Sequence, residues 1–274
     1  MTEYASRGDA RRSMFLLWGK LELGRRGPKQ ALSVDEIVRA GVELADTEGL
    51  EALSMRRVAK ALGRSPMALY TYVPGKAELL DLMLDAVLAE VAQGPSVEGG
   101  WRAGAEASAR QGWAFYERHP WVLQVSGARA LLGPHELDAY EAQVRIFDGL
   151  GLSAVDQTRV VGVLASFVRG AARAVADARA AERATGMSDD DWWEARSAML
   201  DELVGDDWWP ERYPTLTRME AERAFLQADR APGDATPYVE YEERAVFEFG
   251  LQRLLDGIEA YVAAQAGGSG ADAG

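Results

Sequence analysis

Between Ser54 and Leu80 the chain reads SMRRVAKALGRSPMALYTYVPGKAELL, and the side chains gathered there suit one kind of chemistry. Arg56, Arg57, Lys60, Arg64 and Lys76 are cationic donors. No acid occurs from Ser54 to Lys76, although the whole chain carries a formal charge of −13. Guanidinium and ammonium groups bind phosphate oxygens, and the hydroxyls of Ser65, Tyr70, Thr71 and Tyr72 can donate to the same oxygens. Pro66, Met67 and Ala68 are short or apolar, as a helix lying deep in the major groove requires, and Met67 and Ala68 suit thymine methyl groups. Arg56 suits a phosphate or a base edge. Double-stranded DNA is the partner these residues predict.

Those side chains need a support, and the local sequence supplies one. Ser54 can cap a first helix with Val58, Ala59 and Leu62 on its apolar face. Gly63 is placed for a left-handed turn, and Ser65-Pro66 gives an N-cap and a proline at the first helical position of a second helix, Pro66 to Val73. Small Ala59 permits a close crossing, so the pair reads as a helix-turn-helix. Neighbouring positions on so short a helix cannot both face DNA, so one of Tyr70 and Tyr72 can instead be packing. A helix before the pair starts at Ser33, with Glu36 completing a capping box, and ends at Gly49. A fourth helix runs from about Gly75 to Ala92, with Leu79, Leu80, Leu82, Met83, Val87 and Val91 on its apolar side. Gly94-Pro95 stops it, and Gly99-Gly100 marks a domain boundary.

The stretch Leu32 to Leu84 resembles the DNA-binding domain of the tetracycline-repressor (TetR) family of bacterial regulators. The resemblance rests on SVDEIVRAGVELADTEG, LSMRRVAKALG, Ala68-Leu69-Tyr70, Tyr72-Val73 and Lys76-Ala77-Glu78-Leu79-Leu80. It implies DNA contacts along the recognition segment, from Arg64 and Ser65 through Pro66, Met67, Ala68, Tyr70, Thr71 and Tyr72, and at Lys76. Several family members carry polar base-readers where Pro66 to Ala68 stand, which leaves the operator sequence open. The rest of the chain is similar to the family's C-terminal domain only in helical pattern and length.

Charge is unevenly spread: residues 1–76 carry a net +4 and residues 77–274 a net −17, so the basic end must face phosphates and the acidic body point away. Residues 1–31 read as a basic, flexible arm ending in Arg25-Arg26-Gly27-Pro28-Lys29. Arg25, Arg26 and Lys29 are candidate DNA contacts, and an alternative is a plain solubilising tail. A short amphipathic helix within Arg11 to Leu23 is also compatible. With no cysteine, disulfides, thiolate metal sites and cysteine nucleophiles are excluded. Neither a signal segment nor a membrane span is read, and the expected location is the cytoplasm. His119 and His135 each sit at a helix boundary, and Asp189-Asp190-Asp191 reads as a helix start rather than a metal site. The chain is not expected to be an enzyme, and no cofactor or metal is expected.

The fold class expected is all-α: a three-helix DNA-binding unit with its linker helix (32–93), a helical ligand-binding and dimerisation domain (99–264) and a flexible tail (265–274). The second domain is rich in aromatics, and Trp113, Tyr116, Tyr140 and Phe167 are the candidate walls of an apolar cavity. Family resemblance implies that such a cavity binds an inducer. The function expected is a ligand-responsive regulator, a repressor released from a palindromic operator by a small apolar or aromatic molecule; the family suggests an antibiotic and control of an exporter gene. A ligand-independent architectural DNA-binding protein is the alternative. Helices Ala154 to Thr185 and Val239 to Ala264 carry small residues (Gly162, Ala165, Gly170, Gly250, Gly257) beside large apolar ones, the pattern of a four-helix seam between two copies. Sedimentation of the DNA-free protein at micromolar concentration should therefore show a homodimer; a monomer there would contradict the seam.

Overall fold

The computed structural model describes residues 3–5, 8–20, 32–96, 98–204, 208–222 and 236–268. Its helices are α1 (Ala10–Leu17), α2 (Val34–Glu48), α3 (Met55–Ala61), α4 (Pro66–Tyr70), α5 (Lys76–Leu88), α6 (Gly100–Arg118), α7 (Pro134–Arg145), α8 (Ala154–Thr185), α9 (Asp189–Val204), α10 (Trp208–Arg212), α11 (Pro214–Ala221) and α12 (Tyr238–Gly268). Two-residue strands β1 (Glu3–Tyr4) and β2 (Val125–Ser126) form a parallel pair. The fold is all-α in substance. It has two compact units, Met1–Arg173 with Phe247–Gly274, and Ala174–Val246.

In the first unit the helix ends follow the sequence chemistry. Ser33 Oγ accepts from the Glu36 amide at 3.1 Å, and the Glu36 carboxylate accepts from the Ser33 amide at 2.7 Å, so the capping box starting α2 is complete. Ser54 caps α3 by accepting from the Arg57 amide. The turn between α3 and α4 passes through Gly63 at φ +63°, a conformation that costs an L side chain steric strain. Val58 and Ala59 of α3 and Leu69 and Val73 around α4 are completely buried, so the small residue at the crossing does allow close approach.

α5 is apolar nearly all round and buried from Glu78 to Asp85. A helix of that kind has to be covered on every side. α2 covers one side, where Gly41 lies against Met83. α7 covers another, and there Asp85 matters most. Its carboxylate, 4 % exposed, accepts from the backbone amides of His135 (3.1 Å) and Glu136 (3.0 Å) and faces His135 Nδ1 at 3.0 Å. A residue of α5 thus caps the N-terminus of α7, satisfying amides that the helix itself cannot. The loop comes so close that a Cβ on Gly133 would overlap the Asp85 carboxylate.

Residues expected to be a flexible arm contain ordered structure. β1 pairs with β2, and α1, capped by Asp9, buries Leu16 and Leu17. Trp18 Nε1 donates to the Leu132 carbonyl at 3.0 Å. Two residues are too few to show strand alternation, so the β pair left no sequence signal. Arg25, Arg26 and Lys29 lie outside the described residues.

Beyond α5, α6 is held to α12 by ion pairs and rings. Arg102 reaches Asp256 (2.6 Å) and Glu259 (3.0 Å), and Arg110 reaches Glu248 (2.9 Å). Phe247 is buried between Trp113, with ring centroids 4.6 Å apart, and Phe167, stacked at 5.7 Å. The apolar spacing of the chain suggests a stripe of Ala245, Phe249, Leu251, Leu254, Leu255, Ile258 and Val262 for this helix, yet Phe249 is 66 % exposed. The buried positions are 247, 251, 255 and 258, and Phe249 falls on the opposite face because two residues turn a helix by about 200°. The last helix also extends to Gly268, beyond the expected end at Ala264.

In the second unit α9 has no buried residue. Ser188 caps it, accepting from the Asp191 amide. Trp192 and Trp193 contact each other edge-on and are exposed, and Trp208, Trp209 and Tyr213 cluster together. None of these tryptophans is buried.

Asp85→Ala should leave the first amides of α7 unpaired in a buried place and destabilise the protein by about 1–3 kcal/mol. Denaturant unfolding checks this, and a loss below about 0.5 kcal/mol would mean that the cap is dispensable.

Candidate nucleic-acid interface and effector cavity

The acid-free stretch forms one outward surface. Arg56, Arg57, Lys60, Arg64, Ser65, Met67, Tyr70 and Thr71 are exposed; Pro66, Ala68, Tyr72 and Lys76 are partly so. Met67 projects furthest, at 74 % exposure. Ser65 flanks α4 without spending its hydroxyl on the cap. Of the two tyrosines, Tyr70 faces solvent and Tyr72 packs against the core. Neither Arg56 nor Lys60 makes an ion pair among the described residues. Arg57 is paired with Glu48 at the end of α2, and Lys76 Nζ lies 3.1 Å from Glu3 Oε1.

A polar cluster joins α2, the residues just past α5 and the end of α6. His119, at the end of α6 and 6 % exposed, has Nδ1 at 2.8 Å from Asp46 Oδ1 on α2 and Nε2 at 3.1 Å from Glu90 Oε1 just past α5. Trp121 Nε1 donates to the same Asp46 oxygen at 2.7 Å, and Arg118 donates to Glu90 Oε2 at 2.7 Å. The ring thus bridges one carboxylate on α2 and another just past α5. Burial on its own raises the Glu90 pKa, but hydrogen bonds from His119 and Arg118 outweigh it and hold the carboxyl below the ordinary glutamate range. Sequence reading placed His119 only as a helix-end residue. Its partners lie 73 and 29 residues away, and no spacing rule reaches them.

A cavity of about 70 Å³ opens between α6, α7 and α8, lined by Ser108, Ala109, Gly112, Tyr116, Gln143, Leu164, Ala165 and Val168. Of the four residues expected on its wall, Tyr116 is there. Trp113 and Phe167, next to the lining residues Gly112 and Val168, turn instead to Phe247. Tyr140 is 44 % exposed and away from the cavity. Residues three apart share a helix face only broadly, and Trp113 and Tyr116 diverge towards different neighbours. Sequence reading also missed Arg169 on α8. Its guanidinium donates to the carbonyls of Val122 (3.3 Å), Leu123 (3.2 Å) and Val125 (2.7 Å) and lies 5.8 Å from the centre of the Tyr116 ring. A larger recess of about 350 Å³ is bordered by Leu16, Leu17, Val38, Leu82, Asp85 and His135. It adjoins the chain on either side of residues 21–31, which lie outside the described residues, so its volume is that left by the described residues alone.

Two family models match: bacterial regulatory proteins of the tetR family over residues 37–83, and the tetracyclin repressor-like C-terminal domain over residues 94–262. The chain belongs to the TetR family. A similar protein is the HTH-type transcriptional repressor DrrR1 of Streptomyces coeruleorubidus, 40 % identical over 98 % of this chain and 92 % of that one. The tetracycline repressor protein class A from transposon 1721 of Escherichia coli is 29 % identical over 83 % of this chain and 90 % of its own. Among solved structures, the Streptomyces coelicolor TetR family protein ActR in complex with actinorhodin shares the fold at a TM-score of 0.64, with 24 % identity, covering 84 % of this chain and 97 % of that one. The TetR-family chain is thus a DNA-binding transcriptional regulator, and no described helix is long and apolar enough to cross a membrane.

A carboxyl with a folded pKa below its unfolded value contributes stability above the unfolded value and loses that contribution as pH falls through the folded one. Stability should therefore drop on acidification below about pH 4.3 more steeply in the wild type than in Glu90→Gln. Thermal unfolding across that range checks it, and parallel profiles would remove Glu90 from the acid response.

Proposed function

We propose that this regulator is a repressor that binds a palindromic operator as a homodimer and leaves it when a small apolar or aromatic molecule enters the space between α6, α7 and α8. The observation that carries the DNA half is the exposed, acid-free surface of α3 and α4 on a chain that is otherwise strongly acidic. On this reading Arg56, Arg64, Ser65, Thr71 and Lys76 bind phosphates, Met67 and Ala68 approach base edges, and Tyr70 contributes more than the packed Tyr72. Arg25, Arg26 and Lys29 remain candidates for an arm contact. One short recognition helix reads too few base pairs alone, hence the two-fold dimer. Its seam would use α8 and α12, where Val163, Phe249 and Tyr261 are exposed and a Cβ on Gly162, Gly170 or Gly257 would meet nothing. Gly250 does not belong to that open face, because Phe167 packs on it. Such a protein works where the chromosome is, in the cytoplasm.

The ligand half rests on the cavity and on the ActR structures solved with actinorhodin and with (S)-DNPA. Drug-sized ligands need about 300 Å³ or more, so a space of about 70 Å³ must widen to admit one. Widening displaces α7 or α8, and α7 is tied to α5 through Asp85. A shift of α5 changes the separation of the two recognition helices in a dimer. The ligand must favour the widened arrangement, and a coupling of about 1–3 kcal/mol changes operator affinity about 5- to 150-fold. A gene for an exporter of the same molecule is the natural target of such control.

Arg56→Ala should weaken binding to every duplex and lower the slope of log affinity against log salt by about 0.9, as for one lost phosphate. Tyr116→Ala should bind DNA within about twofold of the wild type yet change release by members of an aromatic polyketide panel that includes actinorhodin. Fluorescence anisotropy reads both. An unaltered salt slope would sink the assignment of Arg56, and unaltered release by every active compound would take the cavity out of the switch.

A further inference from the structure

We propose that β1 is an intramolecular competitor for DNA: Glu3 holds the ammonium of Lys76 while no phosphate is present and yields it when DNA binds. This rests on the reading of Lys76 as a phosphate contact.

The geometry supplies the reason. Lys76 is the first residue of α5, and its N-cap, Gly75, has no side chain to satisfy the helix amides. An anion is favoured at such an end; Glu78 lies in the first turn of the helix itself, and the Glu3 carboxylate, 3.1 Å from Lys76 Nζ, is the one supplied from outside it. A phosphodiester oxygen offers the same charge and the same acceptor chemistry. Two anions crowded onto one ammonium repel each other, so the carboxylate has to withdraw for the phosphate to enter. Both partners are about one third exposed, at 33 % for Glu3 and 37 % for Lys76, so the pair is weak enough to exchange.

The position of Glu3 is set from the far side of the unit. Glu3 and Tyr4 are registered against Val125 and Ser126, and Ala5 beyond them is buried. The Val125 carbonyl is held by Arg169 of α8 at 2.7 Å, and Arg169 lies over the ring of Tyr116 on the cavity wall. The competing carboxylate is therefore carried by a segment whose backbone partner is bolted to the cavity. The Arg57–Glu48 pair differs in this respect. Both its members belong to the reading helices and their flanks, and it has no such connection.

The test uses the full chain and a labelled duplex of about 30 base pairs of arbitrary sequence at low salt, because phosphate contacts are independent of sequence. Lys76→Ala should weaken binding and flatten the salt slope by about 0.9. Glu3→Gln should tighten binding about two- to fivefold, the reverse of an ordinary loss of a surface ion pair. In the Lys76→Ala background Glu3→Gln should give no gain. If Lys76→Ala changes neither affinity nor slope, the reading of Lys76 fails, and the competitor fails with it. If Lys76→Ala weakens binding but Glu3→Gln leaves it unchanged or weaker, the competitor alone is overturned. A gain of equal size in both backgrounds also overturns it, since that would be a general effect of removing an acid near DNA. Thermal unfolding of each variant confirms that folded proteins are being compared.

Discussion

Both ring nitrogens of His119 lie against carboxylate oxygens, so the attachment of α2 to the end of α6 is a directed polar interaction and not a packing contact alone. Asp46 also accepts from Trp121, and Glu90 from Arg118, so each carboxylate of the cluster has a second donor. Removing the ring would take from both carboxylates the partner they share. Four segments meet there: α2, the residues after α5, the end of α6 and the turn that carries Trp121. These segments meet at one imidazole ring.

α5 transmits whatever reaches it because it has little freedom of its own. Its surface is apolar nearly all round, and two of its four charged residues are engaged by other segments: Asp85 at the start of α7, Lys76 by Glu3. A helix covered by α1, α2 and α7 together cannot turn without one of those covers moving. Gln143 of α7 borders the cavity, so under the proposed function a molecule bound there would have a short mechanical route to the recognition helix. The route is made of a buried carboxylate and backbone amides, and such contacts are either made or broken, with little between.

Much of the fold could be read from the chain because helix ends have local chemistry. Ser33 with Glu36, Ser54, Gly63 and Ser65-Pro66 placed the starts of these helices to within a residue, although α4 ends at Tyr70 and not at Val73, and α8 was bounded as found. The failures share a cause. His119 with Asp46 and Glu90, Arg169 with the carbonyls before β2, and Glu3 with Lys76 all join residues far apart in sequence, and nothing near any one of them names its partner. Phe247 and Phe249 are two residues apart and were confused because either can head an apolar stripe; only the covering rings of Trp113 and Phe167 decide between them. Of the four aromatics expected to wall a cavity, Tyr116 alone borders the space between α6, α7 and α8, since aromatic residues as readily fill a core as line a hole.

Gly133 and Asp85 carry a consequence for how such chains diverge. A side chain at 133 would occupy the space of the Asp85 carboxylate, and a carboxylate at 85 is useful only while the amides of residues 135 and 136 approach that closely. Neither position can drift by itself: a larger residue at 133 becomes tolerable once the acid at 85 has gone, and the acid is lost without penalty only after the loop has moved away. Descendants of this chain should accordingly keep the two together or lose the two together, and a descendant with only one of them would need a different way to fasten α5 to α7.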